Sequence, residues 1–162
     1  MARNRMPIPM TDTDGVLDLQ RFFPYRLAVL AEEVSRTVAQ LYADRFDMTR
    51  QEWRVLAAVA ANRQMAAKEI AEYSTLDKMS VSRAVAALEA KALISREEDA
   101  ADRRNKLLTL TPSGRALYQK IVPLVRARED YLLDALSPTE RDMLDDILNK
   151  LTSRARDLRQ RG

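Results

Sequence analysis

The sequence predicts a mainly α-helical fold with a small β-wing, a winged helix-turn-helix set between long N- and C-terminal helices. Three observations lead there. Apolar residues recur at helical spacing through both ends of the chain. Two short helical segments joined by a tight turn stand in the middle, and directly after them the pattern switches to two strand-like runs around a charged tip.

Residues 1–16 carry no periodicity and are expected to form a flexible arm. Structure should begin near Leu17. Leu27, Leu30, Ala31, Val34, Val38, Leu41 and Tyr42 fall on one stripe, with Glu32, Glu33, Arg36 and Gln40 off it, so a long amphipathic helix is expected. Thr49-Arg-Gln-Glu52 reads as a reciprocal capping box, with Met48 placed to staple onto Trp53, and a second helix runs from Arg50 to about Ala61. Ala66 to about Tyr73 and Lys78 to about Ala92 are the two short helices. Between them Ser74-Thr-Leu-Asp77 forms the turn, with Thr75 where glycine is common. Ile70, Ala71, Leu76, Val81 and Val85 supply the apolar set that would lock the pair. Leu93–Arg96 and Lys106–Thr111 follow as an antiparallel two-stranded ribbon with a long polar tip. Thr111-Pro112 caps a helix to about Ala135, with a bend expected at Pro123, and Ser137-Pro-Thr-Glu140 is a capping box opening the last helix.

Composition removes whole classes of function. With no cysteine and no histidine, disulfides, thiol chemistry, cysteine- or histidine-based zinc sites and nucleophile–histidine pairs are excluded. The three glycines are too few and too scattered for a dinucleotide or phosphate-cradling motif. No carboxylate pair sits in an apolar setting that would split its pKa values, so the chain is not expected to be an enzyme or to need a cofactor. The net charge of +3 is a tail effect: residues 150–162 hold Lys150, Arg154, Arg156, Arg159 and Arg161 against Asp157. The longest apolar run, Val55 to Ala61, is far short of the roughly 20 residues that span a bilayer. Pro7, Pro9, Asp12 and Asp14 stand where a signal peptide needs an apolar stretch, so a cytoplasmic address without membrane association is expected.

The outer face of the second short helix is Ser80, Ser82, Arg83, Ala86 and Ala87. Such a face approaches the floor of a DNA major groove closely. Arg83 can take guanine O6 and N7 bidentately, and the serines suit phosphates or either base. At the tip, Asp99-Ala-Ala-Asp-Arg-Arg-Asn-Lys106, Asp102 can hold the Arg104 guanidinium as a pair and aim it at a narrow minor groove. A solvated charged hairpin with idle arginines is the plain alternative. Between residues 77 and 111 basic and acidic residues nearly balance, so binding must rest on placed arginines rather than a general positive field.

Asp102-Arg-Arg-Asn-Lys-Leu-Leu-Thr-Leu-Thr111-Pro-Ser-Gly114 resembles the D-x-R wing signature and following L-T-x-x-G of the multiple-antibiotic-resistance regulator (MarR) family of bacterial transcription factors. Leu76-Asp-Lys-Met-Ser-Val-Ser-Arg83 is similar to that family's recognition helix, and Gln51-Glu-Trp-Arg-Val-Leu56 to its second helix. The resemblance spans about Leu17 to Leu158. It implies Lys78, Ser80, Ser82 and Arg83 as DNA-binding residues of the helix, Arg104 as the minor-groove residue oriented by Asp102, and Arg103 and Lys106 as phosphate contacts. It also implies a homodimer whose first and last helices intertwine, which fits stripes too long for one small domain to cover. The chain then divides into the arm 1–16, an N-terminal dimerisation helix within 17–48, a winged helix-turn-helix over 49–111 and C-terminal dimerisation helices over 112–162.

Family members commonly respond to small aromatic acids or related anions bound between the dimerisation helices and the DNA-binding domain. Without cysteine or histidine, oxidant or transition-metal sensing is not expected here, which leaves an organic anion. Arg21, Phe22, Phe23 and Arg26, together with Trp53 and Arg54, offer aromatic walls and cationic anchors near where the first two helices should meet. For Trp53, the staple residue of the capping box, a place in the core is the stronger expectation. The Phe-Pro-Tyr-Arg-Leu segment is similar to regulators of aromatic catabolism, including some that sense coenzyme A thioesters, so an aromatic acid or its acyl-CoA thioester is the expected effector. The expected function is a ligand-responsive repressor of a pseudo-palindromic operator; the rival is a winged-helix adaptor whose wing arginines serve a protein partner.

Overall fold

The computed structural model describes residues 17–98 and 106–161. The arm 1–16 and the wing tip with Asp102, Arg103 and Arg104 lie outside the described residues. Six helices and three strands follow in order: α1 Phe23–Phe46, α2 Arg50–Asn62, β1 Gln64–Ala66, α3 Ala67–Ser74, α4 Lys78–Ala90, β2 Ile94–Glu98, β3 Lys106–Leu110, α5 Pro112–Leu133 and α6 Pro138–Arg161. None of the described helices is long and apolar enough to cross a membrane.

The helix ends show why these boundaries hold. α1 begins at Phe23, earlier than the apolar stripe suggests, because Pro24 sits in its first turn, where its fixed φ suits a helix and its missing N–H costs nothing. It stops at Asp47, whose left-handed φ of 47° turns the Asp47 and Met48 N–H groups back onto the carbonyls of Ala43 and Tyr42. Thr49 caps α2 by accepting the Glu52 N–H at 3.1 Å. The return half of that capping box is absent. The Glu52 carboxylate, only 7% exposed, instead accepts the Lys91 ammonium at 3.0 Å, and Lys91 also donates to the Asp47 carbonyl. A charged acceptor at this depth is held by a full charge rather than by a backbone amide, because the ammonium offsets more of its lost hydration. The second box is complete: Ser137 N donates to Glu140 Oε2 at 2.9 Å and Glu140 N to Ser137 Oγ at 3.4 Å.

The sheet has three antiparallel strands in the order β1-β3-β2, not the two expected. Gln64, Met65 and Ala66 pair with Thr109, Leu108 and Leu107, so β1 covers the free edge of the ribbon and carries Met65 into the core. Its pairing partner lies more than forty residues away along the chain, and three residues show no alternation of their own. Ser95 faces Thr109, with their hydroxyls 3.0 Å apart.

One core lies between the sheet and α2 to α5. Val55, Leu56 and Val59 of α2, Ile70 of α3, Val81, Val85 and Leu88 of α4, Leu108 of β3 and Ile121 of α5 are buried together. Each such side chain contributes about 1.5–3 kcal/mol relative to exposure. Gly114 is required by this packing: a Cβ there would stand 1.9 Å from the Leu93 carbonyl oxygen. The absent side chain lets α5 lie directly on the strand entrance, beside the Thr111 cap on the Gly114 N–H at 3.0 Å.

Candidate nucleic-acid interface

α3, the turn and α4 form the unit that would meet DNA. The end of α3 is tied off by side chains: Ser74 Oγ donates to the Ile70 carbonyl at 2.6 Å, and Thr75 Oγ1 and Arg54 Nη1 donate to the Ser74 carbonyl at 2.7 and 3.5 Å. Thr75 takes the left-handed conformation, φ 56° and ψ 28°, that glycine supplies without strain. Asp77 then caps α4, accepting from Ser80 N at 2.8 Å and Ser80 Oγ at 2.6 Å. These hydrogen bonds, the hydroxyl first, hold the Asp77 carboxyl below the usual carboxylate range.

The helix turns Val81, Ala84, Val85 and Leu88 into the core, which leaves Met79, Ser82, Arg83 and Ala86 exposed. Arg83 and Lys78 have no side-chain partner among the described residues, so both cations are free to meet phosphate or base. Ser80 is differently placed from Ser82: its hydroxyl proton is committed to Asp77, and only its lone pairs remain for a ligand.

The wing is braced against this helix. Arg96 of β2 grips Glu89 of α4 through Nε–Oε1 at 2.6 Å and Nη2–Oε2 at 2.8 Å, a bidentate pair that fixes the angle between ribbon and helix. Between α3, α4 and the sheet lies a cleft of about 630 Å³ with Ala71, Val81, Val85 and Leu108 behind and Lys68, Lys78 and Lys106 at its margins. Lys68 is a further cation on this face that sequence reasoning missed; its signal is a lysine in the first turn of α3, the helix that precedes the recognition helix. Lys106 faces Glu98 at the end of the described ribbon.

The residues expected at an effector site are not brought together within one chain. Arg21 and Phe22 precede α1 and Phe23 and Arg26 lie in its first turn, whereas α2 starts beside the other end of α1. From Phe23 to Tyr42, which touches Trp53, the helix rises roughly 28 Å. The first two helices meet at Tyr42 because the three-residue link turns the chain back there. Trp53 is stacked between Tyr42 of α1 and Tyr118 of α5, with ring centroids at 5.9 and 5.8 Å and planes within 24° and 18°. Burial pushes the Tyr42 phenol up, against the opposing pull of Arg50 and Arg54. Trp53 therefore joins three helices and Arg54 caps α3, while the side chains of Arg21 and Arg26 have no partner among the described residues.

A three-stranded sheet, a helix pair locked by a tight turn and an outward face whose Lys78 and Arg83 have no partner among the described residues define a winged-helix DNA-binding protein. The MarR family model matches residues 46–105, the stretch that holds α2, β1, α3, α4 and β2. The chain is similar to the transcriptional regulator HosA of Escherichia coli O157:H7, 25% identical over 105 residues that cover 65% of this chain and 78% of HosA. Its fold is similar to a MarR/EmrR family transcriptional regulator from Acinetobacter sp. ADP1, with TM-score 0.80 and 26% identity over 87% of this chain and 99% of that one. BpsR of Bordetella bronchiseptica, whose DNA binding is regulated by 6-hydroxynicotinic acid, matches with TM-score 0.77 and 25% identity over 85% of this chain and 98% of its own.

Proposed function

We propose that this chain is a cytoplasmic repressor that binds a pseudo-palindromic operator as a homodimer and is released by a small aromatic acid or its coenzyme A thioester. The observation that carries the DNA half is the outer face of α4, where Arg83 is exposed, with no partner among the described residues, on a helix whose opposite face is buried. Arg83 and Ser82 read base edges, Lys78 and Lys106 meet phosphates with Arg103, and Arg104, oriented by Asp102, enters the minor groove. Two-fold symmetry puts the half-sites about one helical turn, roughly 34 Å, apart.

The dimer is supported by α6, which buries none of its own residues, and by the open apolar positions of α1. The effector half rests on Arg21, Phe22, Phe23 and Arg26, aromatic and cationic groups left open in one chain, and on the aromatic acid that regulates BpsR. A second protomer is needed to close a pocket over them. The ligand acts by binding the form that cannot span successive grooves more tightly than the form that can.

Selection of genomic fragments by the purified protein, at moderate salt and without effector, tests the DNA half. A pseudo-palindrome is expected, bound with an affinity that falls steeply with salt. Arg83→Ala is expected to cost about 1–3 kcal/mol and relax preference at one base per half-site. Arg104→Ala is expected to weaken binding without unfolding the protein. Recovery of no sequence above background would instead support the adaptor reading. Titration of aromatic acids and thioesters against the operator complex tests the sensing half, which fails if none changes the affinity.

A further inference from the structure

Met79 has no role in the reading of α4 given above, and its position calls for one. Its side chain is 61% exposed, whereas the other large apolar residues of the helix, Val81, Val85 and Leu88, are all buried. At about 100° per residue Met79 lies opposite that buried face and shares the outermost stripe with Arg83 and Ala86, four and seven positions on. It is the second residue of α4, in the N-terminal turn that a recognition helix presents to base edges. Its polar neighbours do not extend it into an apolar patch: Lys78, Ser82 and Arg83 surround it on the exposed side.

The chemistry of the groove supplies a partner. Among the four unmodified base pairs, the major-groove edges offer hydrogen-bonding groups and one apolar feature, the C5-methyl of thymine. An unbranched thioether side chain adapts its three rotors to such a target, and Ala86 in the same stripe leaves room for close approach. Met79 and Arg83 are separated by about 6 Å along the helix axis, close to two base steps of about 3.4 Å. We propose that Met79 is a specificity-determining residue that packs on the C5-methyl of one thymine in each half-site, within about three base pairs of the guanine taken by Arg83. This rests on the operator-reading role of α4 proposed above.

The test uses the full chain, its selected operator, and operators in which each thymine in turn is replaced by deoxyuridine, which lacks only the methyl group. The wild type is expected to lose about fourfold per half-site at one thymine, the effect of uncovering a single methyl. Met79→Ala, with unchanged thermal unfolding, is expected to bind the thymine operator as weakly as the wild type binds the uracil one, and to be indifferent to the swap there. Met79→Leu is expected to keep the methyl preference. An equal uracil penalty in wild type and Met79→Ala, or no methyl-sensitive thymine in the half-site, would overturn the proposal while Arg83-dependent binding persists. Selection of no DNA by the wild type would overturn the operator-reading role of α4, and the Met79 contact with it.

Discussion

The central lobe and the two ends of this chain are built from similar amphipathic helices and reach opposite outcomes. In the lobe, α2, α3, α4 and the sheet bury their apolar residues against one another, and α5 adds Ile121. At the ends, Leu27 and Leu30 of α1 stay open, as do Ile147, Leu148 and Leu151 of α6, with Tyr131 80% and Leu158 72% exposed. The difference lies in neighbours, not in patterning. A stripe at 3.6-residue spacing states that a face wants cover, but cover comes from whatever the chain places opposite it. The lobe provides its own; the arms have the faces on which the proposed dimer rests.

The sharpest way to break this contrast is to place charge on the open face. Ile147→Glu with Leu151→Glu is expected to leave a folded but monomeric protein by sedimentation, with operator affinity down about a hundredfold or more as the second half-site contact is lost. In the lobe the largest effect is expected at Gly114→Ala. The Cβ meets a backbone carbonyl that cannot rotate away, and denaturant unfolding should show a loss of about 3 kcal/mol.

Lys91→Met removes the partner of the buried Glu52 carboxylate and is expected to cost about 2 kcal/mol at neutral pH. Burial lowers the Lys91 pKa, but the hydrogen bond and charge of Glu52, with Asp47, outweigh it and leave it above the ordinary 10.5. A raised ammonium pKa means that the contribution is whole below 10.5 and lost as pH rises through the folded-state value. The gap between wild type and Lys91→Met should therefore stay constant from pH 7 to 10 and narrow above 10.5, read by unfolding at each pH. The smallest effect is expected at Thr75→Gly, where relief of the left-handed backbone should raise stability by up to about 1 kcal/mol, without loss of operator binding.

Much of the recognition unit was legible before folding. The Thr49 cap, the Ser137–Glu140 box, the two short helices and the ribbon after them are local patterns whose causes lie within four or five residues, as are the exposed Arg83 and Ser82. Met79 could have been found in the same way, four positions before Arg83 on the same stripe. Lys68 carries a local signal, a lysine in the first turn of α3, which takes its meaning only from the cleft that α3 shares with α4 and the sheet.

The sequence by itself determined helix positions and polarity, the closure of thiol and imidazole chemistry, and the face that α4 shows to solvent. Only the tertiary structure decided that Gln64–Ala66 is a third strand, that Glu52 abandons its capping box for Lys91, that Trp53 is locked between Tyr42 and Tyr118, and that Phe22 and Phe23 lie a helix length away from it. The first group depends on backbone geometry and spacing within a few turns. The second depends on which distant surfaces meet, and on the desolvation that a buried carboxylate or ring undergoes when they do.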